Sequence, residues 1–257
     1  MPQVRRMIFH RLRPLAFAAV LLSALPAHAQ TAPRPDAVLV LGALHDLHAR
    51  EESFGYDRLR QILETFRPDV VVLEVRPDEL AGPTDTPGRP EYPRMVWPWL
   101  GASGAEAVAM EPGGKRFEAL AGAAGAAFAA LGRSDPQGAA ALTAFDEALE
   151  TALLAYWRRP SQTQDETTAR MVDSHVALRA AIVGPAFATV QSAWDDEMAQ
   201  VVTRTVRSRP GKRVLVIGSY RNRGLLENAV RGIAAARLVS SSAWLASIEA
   251  MRPPAGN

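Results

Sequence analysis

The sequence predicts an α/β fold with a mostly parallel central sheet, flanked by helices and carrying a helical insertion. Three observations carry this prediction. Val38-Leu39-Val40-Leu41, Val70-Val71-Val72-Leu73 and Val214-Leu215-Val216-Ile217 are continuous apolar runs, the pattern of strands covered on both faces. A segment with helical periodicity lies between the first two runs, as a β-α-β crossover requires. Several long helical segments lie between the second and the third, which makes them an insertion rather than further crossovers.

Each element has its own warrant. The first 29 residues read as a secretory signal peptide. Arg5, Arg6, Arg11 and Arg13 open it, residues 15–25 are apolar but too short to span a bilayer, and Ala27-His28-Ala29 is a small-x-small cleavage site. No cysteine follows, which excludes a lipoprotein anchor. Residues 30–257 are then expected to form one α/β domain, periplasmic or secreted, with no stable membrane anchor after cleavage. The first strand follows a short lead at residues 31–36. Residues 42–53 form a polar loop, and residues 54–66 a helix with Leu59, Ile62, Leu63 and Phe66 on one face. Arg67-Pro68-Asp69 ends that helix, since proline cannot continue it, and the second strand begins at Val70.

Residues 77–104 are rich in proline and glycine and show no periodicity, which predicts a lid or binding loop carrying Tyr92, Trp97 and Trp99. A short third strand is expected at residues 107–110, ending at Glu111. Helices are predicted at residues 117–131 and 139–157, with a break at 132–138. Two more follow at 164–183 and 186–207, each closed by a glycine–proline signal. The third apolar run precedes a helix at 224–236 and a last strand at 237–241. The tail from Arg252 is expected to be loose.

Composition narrows the chemistry. The chain carries a formal charge of +2, and four of its positive charges lie in the first 29 residues, so the remainder is slightly acidic. No basic stripe is left to neutralise phosphates, which argues against a nucleic-acid partner and leaves a small molecule or a peptide as the substrate class. With no cysteine there is no disulfide, thiolate nucleophile or thiolate metal site. Only His45, His48 and His175 lie beyond the signal segment. There is no Gly-x-Ser-x-Gly elbow and no phosphate-binding loop.

The first run ends in Gly42-Ala43-Leu44-His45 and the second in Glu74. In a parallel sheet, ligands bind beyond the carboxyl ends of the strands. If these two strands are neighbours, His45 and Glu74 meet there. His45 could then be a general base or a metal ligand, with Glu74 fixing its tautomer. The alternative is a loop-capping His45 and a Glu74 paired with Arg76. His45 and His48 could share a metal, with Asp46 or Glu52 adding oxygen, or His48 could face solvent. Glu111 is either a second carboxylate of the site or a helix or turn cap, and His175, set within a helix, reads as a packed or surface residue rather than a ligand. The third run repeats the first motif as Gly218-Ser219-Tyr220-Arg221, with arginine in place of histidine. Arg221 could hold a carboxylate or stabilise an oxyanion.

These segments resemble the superfamily that groups TraB/GumN proteins, the Tiki metalloproteases, ChaN-like haem-binding proteins and erythromycin esterases. The likeness rests on Gly42-Ala43-Leu44-His45, on Arg67-Pro68-Asp69-Val70-Val71-Val72-Leu73-Glu74, and on Trp194 to Ala199 followed by Gly211 to Gly218. It implies a secreted or periplasmic hydrolase with a site built on His45 and Glu74. In Tiki-like members that site is linked to a divalent metal, for which Mn, Co or Zn bound by His45, Glu74 and His48 is the expectation. In erythromycin esterases the histidine acts as base on water. In ChaN-like members the region binds haem, and the alternative reading is a haem or small-ligand carrier with Tyr220 as the iron ligand. The chain departs from the pattern at Arg221, where a second Gly-x-x-His would place a histidine.

Overall fold

Alternation along the strands builds two cores, one on each face of the sheet. In β1 (Ala37–Ala43), Leu39 and Leu41 point to one side, and Val38 and Val40 to the other. In β2 (Val70–Leu73) and β4 (Arg213–Ser219), Val71, Leu73, Leu215 and Ile217 join the first face, and Val70, Val72, Val214 and Val216 the second. Such strands are apolar without interruption because neither face meets water. The computed structural model describes residues 37–250 except 83–85 and 87. The expected signal peptide at 1–29, the lead before Ala37 and the tail from Arg252 lie outside the described residues.

Five strands form one sheet in the order β3-β2-β4-β1-β5, with every pairing parallel. β3 is Glu106–Ala109 and β5 is Leu238–Val239. β4 lies between β1 and β2, so the first two strands are not neighbours. This corrects the condition under which His45 and Glu74 were to meet. An apolar run shows that a strand is interior and carries no information about which strand lies beside it.

The first face is covered by α1 (Tyr56–Phe66), through Leu59, Ile62, Leu63 and Phe66. Tyr92, Met95 and Val96, and Leu245 of α9 (Ser241–Ala250), pack on the same side. The second face is covered by α7 (Pro185–Arg207), through Met198, Val202 and Val206, and by α8 (Arg223–Arg231), through Leu226 and Val230. The insertion runs from α4 (Gly114–Ser134) through α5 (Pro136–Tyr156) and α6 (Glu166–Val183) to α7. The break expected at 132–138 is only Asp135, whose carboxylate accepts the Gly138 N–H at 2.8 Å and caps α5 ahead of Pro136.

Residues 77–104 are more ordered than their composition suggests. They contain α2 (Pro77–Ala81), a π-helical turn at Tyr92–Val96 and α3 (Trp97–Ser103), with Pro77 and Pro98 at helix starts. Elements this short offer too few turns for a period to be read. The helix α9 was likewise not expected, its Ser-rich start masking the apolar positions.

Gln164 finishes the sheet at an unusual place. β5 pairs only with Val38 and Leu39 of β1. Further along, the Gln164 amide accepts the Gly42 N–H at 2.8 Å and donates to the Gly42 carbonyl at 2.9 Å. One side chain thus stands in for the next strand. Among the described residues, no helix is long and apolar enough to cross a membrane.

Candidate active site

The loops that leave the carboxyl ends of β1, β2, β3 and β4 carry the chemistry. His45 begins a 3₁₀ turn (His45–Ala49) directly after β1, with φ at +54°. A non-glycine residue there is strained by roughly 1 kcal/mol or more, and such strain gathers where a side chain must be aimed. His45 Nδ1 lies 2.7 Å from Glu91 Oε1. The histidine side chain keeps 20% of its surface exposed while Glu91 is fully buried. A carboxylate only accepts, so the neutral imidazole carries its proton on Nδ1 and leaves Nε2 unprotonated. Among the described residues, none bonds that nitrogen. Burial opposes a charge on the ring, but the Glu91 hydrogen bond and the charges of Glu91 and Glu74 outweigh it and raise the pKa above 6.5.

Glu74 is not the partner of His45. Its Oε2 accepts the Ser219 N–H, and its Oε1 accepts from Asn222 Nδ2 at 3.0 Å. It braces the loop after β4 and reaches His45 only through its charge. The two motif glycines make room for this arrangement. A Cβ on Gly218 would meet Glu74 Oε2 at 2.9 Å as well as the Leu226 side chain, and one on Gly42 would come within 2.7 Å of the Tyr220 backbone.

The other expected residues divide clearly. His48 is buried, and both its nitrogens are used: Nε2 accepts the Leu44 N–H at 3.0 Å and Nδ1 donates to the Phe54 carbonyl at 2.6 Å. It pins the loop and has no lone pair to offer, which corrects its reading as a metal ligand. Tyr220 is buried against Trp157 and accepts from Arg221 Nε at 3.0 Å. Burial pushes its hydroxyl up, although the Arg221 guanidinium pulls the other way. Arg221 follows Tyr220 and reaches Glu150 of α5. His175 is packed, as expected, and bonds Asp146 at 2.5 Å.

The donor set does not fit the metal site that the resemblance implied. With His48 spent, Glu74 braced and Glu91 on Nδ1, no three such side chains converge. Among the described residues, no group of three or more His, Asp or Glu side chains is placed to hold a metal ion.

Sequence reasoning missed Glu91 and Arg89. Arg89 donates to the Glu74 carbonyl and bonds Glu111 at 3.0 Å and Glu79 at 3.2 Å, tying the loops after β2 and β3 together. Glu111 is largely but not fully buried, and although Arg89 pulls the other way, its carboxyl is raised to about 7. Glu91 Oε2, the Tyr92 hydroxyl and Trp97 Nε1 are all buried without a partner among the described residues. These three groups fall within seven residues, beside the part-buried His45–Glu91 pair. No protein-family model, no curated protein and no solved structure matches the chain.

Proposed function

We propose that the protein is a hydrolase of esters or amides in which His45 activates water directly, and we place it with the resembled superfamily as a secreted or periplasmic member. One observation supports this reading above the others: a partly exposed imidazole whose inner nitrogen is held by a fully buried carboxylate. Glu91 fixes the tautomer and stabilises the imidazolium that forms. Nε2 takes a proton from water as the water oxygen attacks the substrate carbonyl. The same nitrogen then returns that proton to the leaving oxygen or nitrogen. Glu74 contributes negative charge and holds the β4 loop, and the aromatic segment at 92–99 covers the site. No step requires a bound metal.

The test is turnover of a panel of nitrophenyl esters and fluorogenic peptides by the chain from residue 30. His45→Ala should remove turnover. Glu91→Gln should lower kcat by about 10² or more, the usual contribution of an oriented base. Because the His45 pKa lies above 6.5, kcat/KM should rise with pH on a limb centred above that value. Undiminished hydrolysis by His45→Ala would sink the proposal. A haem titration that changes the spectrum of wild type but not of Tyr220→Phe would favour the carrier instead.

A further inference from the structure

Two loops beyond the carboxyl ends of β1 and β4 send arginines to the same carboxylate. Arg50 ends the turn that His45 begins, and its Nη1 lies 3.6 Å from Glu150 Oε2. Arg221 follows β4, and its Nη2 lies 3.4 Å from Glu150 Oε1. Ala43 and Ser219 are register partners, and the Tyr220 N–H donates to the Ala43 carbonyl at 2.9 Å. His45 and Arg221 therefore leave adjacent strands at the same level. Arg221 is set in place by Tyr220, whose hydroxyl accepts from Nε and whose ring lies 5.5 Å beneath the guanidinium.

Glu150 belongs to the inserted helix α5, not to the sheet. Its hold on the arginines is loose. Both distances exceed the roughly 2.7–2.9 Å of a tight charge-assisted bond, and Glu150 is 34% exposed. Exposed pairs of this kind are weak, because solvent screens them and long side chains lose freedom in forming them. Two guanidinium groups from separate loops, on the same edge of the sheet as the candidate base, converge on one weakly held carboxylate.

We propose that Arg50 and Arg221 form a subsite for a substrate carboxylate, which Glu150 fills until a ligand displaces it. The subsite directs the hydrolase reading to esters and amides that carry a free carboxylate, such as N-acyl amino acids or a peptide C-terminus. It rests on that reading for the reaction alone, since binding needs no turnover. Asp146 and Glu150 of α5 and His175 and Arg179 of α6 also face this region, and Asp146 is engaged by His175. With Glu150 in place one of the two positive charges is offset, so displacement exposes the full charge of the pair.

The test is calorimetric binding of N-acetylglycine, with N-acetylglycinamide and inorganic phosphate as comparisons, in wild type and in the His45→Ala background. Glu150→Gln should tighten N-acetylglycine about tenfold, the scale of the lost competitor. The amide should not respond, and adding Arg50→Ala or Arg221→Ala should remove the gain. Equal affinity in wild type and Glu150→Gln would overturn the subsite, as would binding that survives loss of both arginines or a response to phosphate alone. If the binding behaves as expected while His45→Ala leaves hydrolysis intact, the subsite stands and the catalytic reading falls.

Discussion

His45 and Glu111 are the residues whose protonation this fold alters most usefully. At His45 burial disfavours the charge, but Glu91 and Glu74 more than restore it. The folded pKa is raised, so the stability that protonation lends is complete below the unfolded value near 6.5 and lost as pH rises through the folded value. In an NMR titration the His45 ring should have its midpoint above 6.5, and Glu91→Gln should bring it down. At Glu111 burial disfavours the carboxylate, Arg89 resists, and Glu74 adds to the rise. Its contribution is present below 4.5 and lost as pH climbs to about 7. Glu111→Gln should therefore raise Tm at pH 8 and leave it nearly unchanged at pH 4. A Tm at pH 8 that falls instead would mean the Arg89 pair outweighs the burial cost. His45, Glu74 and Arg221 were legible because each ends an apolar run. Glu91 was not, because nothing in a spacing joins residue 91 to residue 45.

The segment from the π-helical turn through α3 is the element where local order and energetic satisfaction part. It buries Tyr92, Met95 and Val96 in the core, yet among the described residues Glu91 Oε2, the Tyr92 hydroxyl and Trp97 Nε1 find no partner. Each such group costs about 1–3 kcal/mol. Removing one without leaving a cavity should therefore be neutral or helpful. Tyr92→Phe is expected to stabilise the protein by about 1 kcal/mol in urea unfolding, and a clear loss would show that the hydroxyl has a partner after all. The long helices of the insertion were legible from periodicity and their glycine–proline stops. The short helices at 77–103 were not, because one or two turns do not establish a period.

For the whole molecule, the sequence disclosed the layers but not the order of the strands. Buried runs and a crossover helix are enough to predict a covered parallel sheet. The position of β4 between β1 and β2 depends on a chain that returns after four inserted helices, and no local signal encodes that return. The separation has a chemical result: Glu74 braces the β4 loop, and the carboxylate for His45 comes from the covering segment.

The Gln164 amide on Gly42 has a consequence for how this protein behaves among copies of itself. Beyond its two-residue pairing with β5, the rim of β1 would otherwise present bare peptide groups, the template on which a second chain can add a strand. One amide closes that template without lengthening the sheet. Gln164→Leu should free it, and light scattering on concentrated samples should then report growing particles where the unaltered protein stays dispersed.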